Sequence, residues 1–212
     1  MTASHTPEPA VQTIRALILA GGASSRMGAD KAWMDYHGKP QVIWLYELLE
    51  GQGLNVWISL QQADERFAGR NTVQDFPAFQ GHGPLSGVLS AAQQVGADTA
   101  WLFIGCDYPL FGEREIGQLI QARDPNALAT VFSWEGRVLP FPAIWEPEML
   151  ACLESDFHAG HHSLRRSLEY RAERLRIISP LSGNSLQSAD TPEDAERMRL
   201  ALGSKGDSVR RL

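Results

Sequence analysis

Cysteine is nearly absent from this chain. Its two copies, Cys106 and Cys152, lie far apart, and Cys106 closes an apolar run. A disulfide framework needs several paired thiols in a small, loop-rich chain, so none is expected, and a reducing cytoplasm is the expected location. Clustered positive charge is missing as well. With 19 Lys and Arg against 25 Asp and Glu, a formal charge of −6 and no long basic run, the chain lacks the cation density that a nucleic-acid backbone demands. No stretch approaches the ~20 apolar residues of a membrane span. The segment 1–13, rich in Thr, Pro, Glu and Ala, has neither the cationic start nor the apolar core of a signal peptide. The expectation is a soluble, untargeted protein that binds neither nucleic acid nor membrane and whose cations serve something small.

Two familiar phosphate motifs are also lacking. A Walker A loop needs Lys and then Ser or Thr directly after its last glycine, whereas Gly28 is followed by Ala29-Asp30-Lys31-Ala32. The G-x-G-x-x-G spacing of a dinucleotide fold fails because Gly21 and Gly22 are adjacent and the next glycine is Gly28. Nor does Ser24 or Ser25 sit in a G-x-S-x-G elbow.

What is present is a strand-like run, Ala16 to Leu19, that breaks into Ala20-Gly21-Gly22-Ala23-Ser24-Ser25-Arg26-Met27-Gly28-Ala29-Asp30-Lys31. Glycines let backbone N–H groups approach phosphate oxygens, and Arg26 and Lys31 add the charge that a polyphosphate requires. An ordinary strand-to-helix loop with two solvated cations is the competing reading.

The 212 residues, 43% hydrophobic, suit one domain over 14–202 between flexible tails 1–13 and 203–212. Within it strands and helices alternate. Strands are expected at Ile14 to Ala20, Leu54 to Leu60, Asn71 to Asp75, Ala100 to Cys106, Ala143 to Trp145 and Leu175 to Ser179. A hairpin joins Ala127–Trp134 to Arg137–Leu139 through Glu135-Gly136. Helices are expected at Gln41 to Glu50, Leu85 to Val95, Glu113 to Arg123, Pro147 to Glu154, Ser163 to Tyr170 and Pro192 to Leu202. The pattern implies a mostly parallel sheet covered on both faces, with ligands beyond the carboxyl ends of its strands.

Asp107 directly follows the apolar run Trp101–Cys106 and so falls at such an end. A carboxylate beside a triphosphate is repelled unless a divalent cation lies between them, which makes Asp107 a candidate magnesium ligand, a turn-starting Asp being the alternative. Asp75 also ends a strand, ahead of the glycine-rich Gly81 to Gly87. Asp190, before Thr191-Pro192-Glu193, is either a helix cap or a second metal ligand. His158, His161 and His162 read as a loop without metal, since no matching Cys or His pair lies elsewhere. The six tryptophans read mostly as core.

Together these segments resemble the nucleotidyltransferases, and most closely the molybdenum cofactor guanylyltransferase group. The resemblance runs through the loop from Leu19 to Lys31, Gly38-Lys39-Pro40, Asp75, Gly83-Pro84-Leu85-Ser86-Gly87, Cys106-Asp107-Tyr108-Pro109, Ser163-Leu164-Arg165 and Asp190-Thr191-Pro192-Glu193-Asp194. It implies a three-layer, Rossmann-like α/β fold with a mostly parallel mixed sheet. It also implies transfer of GMP from Mg-GTP to molybdenum-bearing molybdopterin, giving molybdopterin guanine dinucleotide and pyrophosphate. The resemblance puts Leu19, Ala20, Gly21, Gly22 and Lys31 on the nucleotide, Asp75 near base and ribose, and Asp107 on Mg2+. Arg26, Lys31 and Asp107 then carry catalysis, and Asp190 is a second metal ligand after the pattern of sugar-phosphate nucleotidyltransferases. GTP and the molybdopterin-type acceptor are the expected partners, transient contact with molybdoenzymes or cofactor-biosynthesis proteins is compatible with this reading, and so is a monomer. Two positions depart from the group: Ser188-Ala189-Asp190 stands where Asn-x-Asn is usual, and Ser59 where some members carry Asn. A related transferase using CTP or another small phosphate acceptor, and a nucleotide-binding regulatory protein without turnover, are the alternatives.

Overall fold

The computed structural model describes residues 14–21 and 30–209. Seven strands form one sheet: β1 (Ile14–Leu19), β2 (Asn55–Leu60), β3 (Thr72–Gln74), β4 (Ala100–Gly105), β5 (Ala129–Trp134), β6 (Arg137–Trp145) and β7 (Leu175–Ile178). Their spatial order is β3-β2-β1-β4-β6-β5-β7. Only β6 runs against its neighbours β4 and β5; every other pairing is parallel.

Among the described residues six α-helices complete the fold: α1 (Gln41–Gly51), α2 (Pro84–Val95), α3 (Glu113–Ala122), α4 (Pro147–His158), α5 (Leu164–Glu169) and α6 (Pro192–Val209). Strand alternation divides the core into two. Ala16 and Ile18 of β1 face a cluster containing Val42, Leu45 and Leu49 of α1 and Ile116 and Leu119 of α3. Leu17 faces the other, with Leu85, Val88 and Leu89 of α2 and Met149, Leu150 and Leu153 of α4. A strand buried on both faces must be apolar at every position, and β4, whose first five residues are all buried, shows this most fully. No helix among the described residues is long and apolar enough to cross a membrane.

Three expectations need correction. The hairpin forms as read, with Glu135 at φ 50° and Gly136 at φ 74°, as a tight two-residue turn requires. Its second strand, however, does not stop at Leu139 and restart at Ala143 but runs unbroken as β6. Pro140 and Pro142 are tolerated because β4 pairs only with 143–145 and the β5 register shifts between Val131 and Ser133, so neither missing N–H costs a ladder bond. Next, α4 continues past Glu154 to His158, which removes His158 from the expected loop. Finally, α6 passes Leu202 and ends at Val209, since a helix can add one backbone bond per residue beyond its last packed side chain.

The chain steps outward from β1 to β2 and β3, then returns to place β4 on the other side of β1. The carboxyl edge between β1 and β4 is therefore the switch point, where a crevice opens.

Candidate functional site

Strand register decides which residues meet at that edge. Leu19 pairs with Gly105 on one side and Ser59 on the other, and Ser59 pairs with Val73. Two residues further along, alternation sets Gly21, Gln61 and Asp75 in one row, on the same face. Hydrogen bonds from Ala20 N to Ser59 O (3.2 Å) and from Asp75 N to Leu60 O (2.9 Å) carry the ladder into this row. Asp107 closes its other end. The chain turns after β4 and the Asp107 carboxylate folds back over Gly105, where any Cβ would collide with Oδ1. Glycine at 105 is thus what seats the carboxylate.

The environment of Asp107 is unfavourable to its charge. Burial pushes its carboxyl above the ordinary range; the Lys31 ammonium pulls the other way, and Asp190 adds repulsion. Burial likewise raises the neighbouring Cys106 thiol and Tyr108 phenol, with the Asp107 charge adding to both.

Lys31 reaches this point from a short 3-10 turn, Lys31–Trp33, which Asp30 caps by accepting from Ala32 N at 3.0 Å. Its Nζ donates to Asp190 Oδ1 at 2.6 Å. Ser188 Oγ donates to Asp190 Oδ2 at 2.7 Å, and Ala189 N donates to Asp107 O at 2.8 Å. Burial tends to raise the Asp190 carboxyl, but the hydrogen bonds from Lys31 and Ser188 and the Lys31 charge outweigh it and hold the group below the ordinary range. Asp190 does not cap α6. Thr191 does, accepting from Asp194 N at 3.2 Å, while Asp194 Oδ2 accepts from Asp190 N and Thr191 N at 3.2 and 3.0 Å. The Asp190 carboxylate is left to face Lys31.

The structure thus brings together Ala20, Gly21, Lys31, Asp107 and Asp190. Gly22 and Arg26 lie outside the described residues. Leu19 offers the crevice only its backbone, because its side chain packs in the core beside α2. Asp75 lies at the far end of the row, with Gln61 between it and Gly21, and burial raises its carboxyl.

Some neighbours carried no signal in the sequence. Gln61 and Gln62 border a cleft of about 480 Å³ beside Ala20 and Gly21. A second cleft, of about 810 Å³, opens from Asp190 and Tyr108 toward Trp134, Arg137, Asn184 and Gln187. Trp134 lies directly on the Gly183 backbone, where a Cβ would fall within its ring, so one of the tryptophans read as core also forms a cleft wall. The Glu135-Gly136 turn announced a hairpin but not that its tip reaches the crevice.

Comparison with known proteins identifies the family and the fold. Residues 16–175 match the MobA-like NTP transferase domain model. A Bacillus subtilis protein described as a probable molybdenum cofactor guanylyltransferase is 34% identical over 140 residues, covering 65% of this chain and 69% of that protein. The molybdenum cofactor guanylyltransferase of Pseudomonas entomophila is 30% identical over 159 residues, covering 72% and 80%. Among solved structures, molybdopterin-guanine dinucleotide biosynthesis protein A from Archaeoglobus fulgidus superposes with a TM-score of 0.71 at 17% identity, over 90% of this chain and 99% of that one. The family match spans most of the chain and ends on the strand that closes the sheet: this chain belongs to the MobA-like NTP transferase family.

Proposed function

We propose that this chain transfers GMP from Mg-GTP to the phosphate of molybdenum-bearing molybdopterin, giving molybdopterin guanine dinucleotide and pyrophosphate, in the cytoplasm. The observation that carries the reading is the convergence of Gly21, Lys31, Asp107 and Asp190 on the switch point of the sheet, in a chain whose relatives bear the guanylyltransferase name.

The donor set fits magnesium. Asp107 and Asp190 offer hard carboxylate oxygens, and among the described residues no group of three or more His, Cys, Asp or Glu could hold a metal unaided. Magnesium characteristically takes one or two carboxylates and completes its shell with substrate phosphates and water. When bound, the ion supplies positive charge against the triphosphate.

The protein's own share is positioning and charge. Backbone at Ala20 and Gly21 lies along the phosphates, with Gly22 and Arg26 belonging to the same loop in sequence. Lys31 exchanges its carboxylate partner for phosphate oxygens, which frees Asp190 Oδ1 to join Asp107 as an oxygen donor. Asp75 serves base and ribose. The larger cleft suits the acceptor: Trp134 offers a flat apolar face to a pterin, and Arg137 a cation for its phosphate. An acceptor phosphate oxygen forms the new bond to the α-phosphorus as the bond to pyrophosphate breaks, so no protein nucleophile is needed.

Pyrophosphate release with magnesium, the acceptor and each nucleoside triphosphate in turn tests the reading. Release with GTP alone is expected; release with CTP alone, or none with any, contradicts it. In the same assay Asp190→Asn should lose turnover, and full activity with unchanged magnesium dependence would remove Asp190 from the metal.

A further inference from the structure

Ser59, the residue standing where some relatives carry Asn, cannot reach a nucleotide. It is 3% exposed, and Gly87 of α2 presses so closely on it that a Cβ there would overlap Ser59 Oγ and approach Leu19 Cδ2 to 2.9 Å. Leu19, Ser59 and Val73 therefore form a closed layer beneath α2. One pleat step higher, on the same face, lie Gly21, Gln61 and Asp75.

This upper layer is open. Gln61 is exposed, and its carboxamide has no hydrogen-bond partner among the described residues. A Cβ at Gly21 would stand 3.2 Å from both Gln61 Cγ and Gln61 N, so the bare Gly21 backbone is a floor over which the Gln61 stem lies. Asp75 occupies the next strand, roughly 4.8 Å across the sheet. The layer thus presents a glycine floor, then a carboxamide, then a carboxylate.

We propose that Gln61 is the base-selecting residue of this chain, donating its amide N–H to the 6-oxo group of guanine while Asp75 accepts from the adjacent N1–H and 2-amino group. A carboxamide alone can turn to suit either an oxo or an amino group. Beside a carboxylate that takes two parallel N–H donors, only guanine leaves an acceptor for the amide to meet. Gln61, and not the buried Ser59, is then the side chain that reads the base, an inference that rests on the guanylyltransferase reading.

The test compares GTP, ITP and 6-thioguanosine triphosphate, by calorimetric binding and by pyrophosphate release, in the parent, Gln61→Ala and Gln61→Glu. In the parent, GTP should outcompete the 6-thio nucleotide, which keeps N1–H and the 2-amino group for Asp75 but whose 6-thioxo group is a weak acceptor. Gln61→Ala should lose about tenfold of that preference, and Gln61→Glu should lose at least as much, because a carboxylate has no N–H to offer the 6-oxo group. The ITP to GTP ratio, which reports the 2-amino group, should stay near the parent value in both. Because Gln61 is exposed, both variants should melt at the parent temperature. A GTP-selective parent whose variants keep its selectivity would overturn the role of Gln61 alone. A parent with no preference for GTP would overturn both this inference and the guanylyltransferase reading beneath it.

Discussion

At the scale of single residues, Asp107 combines opposing demands. Burial holds its carboxyl above the ordinary range against the pull of Lys31, so the folded state keeps this proton more tightly than the unfolded chain does. The cost of the ionised group is present above the folded-state pKa and is relieved as pH falls through it. Asp107→Asn should therefore raise the melting temperature of the metal-free protein at neutral pH, gain little at mildly acidic pH, and abolish turnover. Thermal scans in chelator at the two pH values check this, and a lower melting temperature at neutral pH would contradict it. Lys31→Ala removes the cation between two carboxylates and should cost about 2 to 4 kcal/mol of transition-state stabilisation. A rate within about twofold of the parent, well under 1 kcal/mol, would place Lys31 outside the site. The Lys31 to Asp190 contact spans 159 positions, so its two halves were legible as candidates but their meeting was not. Spacing along the chain carries no information about contacts that long.

Among the elements, the strands with two buried faces were the most legible, since β4 is an apolar run and β1 is one from Ala16 to Leu19. β6 was legible only in pieces: two prolines normally end a strand, and their harmless placement depends on a register shift in β5 that no local pattern encodes. The 3-10 turns, among them the one that presents Lys31, are too short to show a period. Gly87 could be read as a loop-to-helix glycine, yet its structural task is the close approach of α2 to Ser59 and Leu19. Gly87→Ala should therefore cost about 1 to 3 kcal/mol by overpacking, measured by urea denaturation, and full stability would show that α2 has room to shift. Elsewhere, Arg123 Nε and Nη2 donate to Glu146 Oε1 and Oε2 at 2.7 and 2.8 Å, with side chains only 9% and 4% exposed. This pair ties the end of α3 to the residue before α4. Arg123→Met strands a buried carboxylate and should lose about 3 to 5 kcal/mol, whereas replacing both partners with apolar residues should lose far less. A double-variant loss equal to the sum of the losses of the Arg123 and Glu146 single variants would show that the pair is not coupled.

For the whole molecule, two apolar cores clamp the sheet from either face, so its carboxyl edge is a fixed platform on which charged groups can be held apart or together. The fold class, the order of the main elements and the edge on which the site lies follow from the alternation of strands and helices. The row of Gly21, Gln61 and Asp75 does not, because it comes from strand register, and neither does the larger cleft, whose walls are drawn from a hairpin tip, a 3-10 turn and α6. In the function proposed, platform, cation and carboxylates serve to move a nucleotide from a triphosphate to a second phosphate, and that transfer is the central claim. The most direct measurement follows GTP radiolabelled at its α-phosphorus through incubation with magnesium, the protein and molybdenum-bearing molybdopterin. The account predicts label in a pterin dinucleotide product, matched mole for mole by pyrophosphate. Label remaining in free guanine nucleotide while orthophosphate accumulates would identify a hydrolase and contradict it.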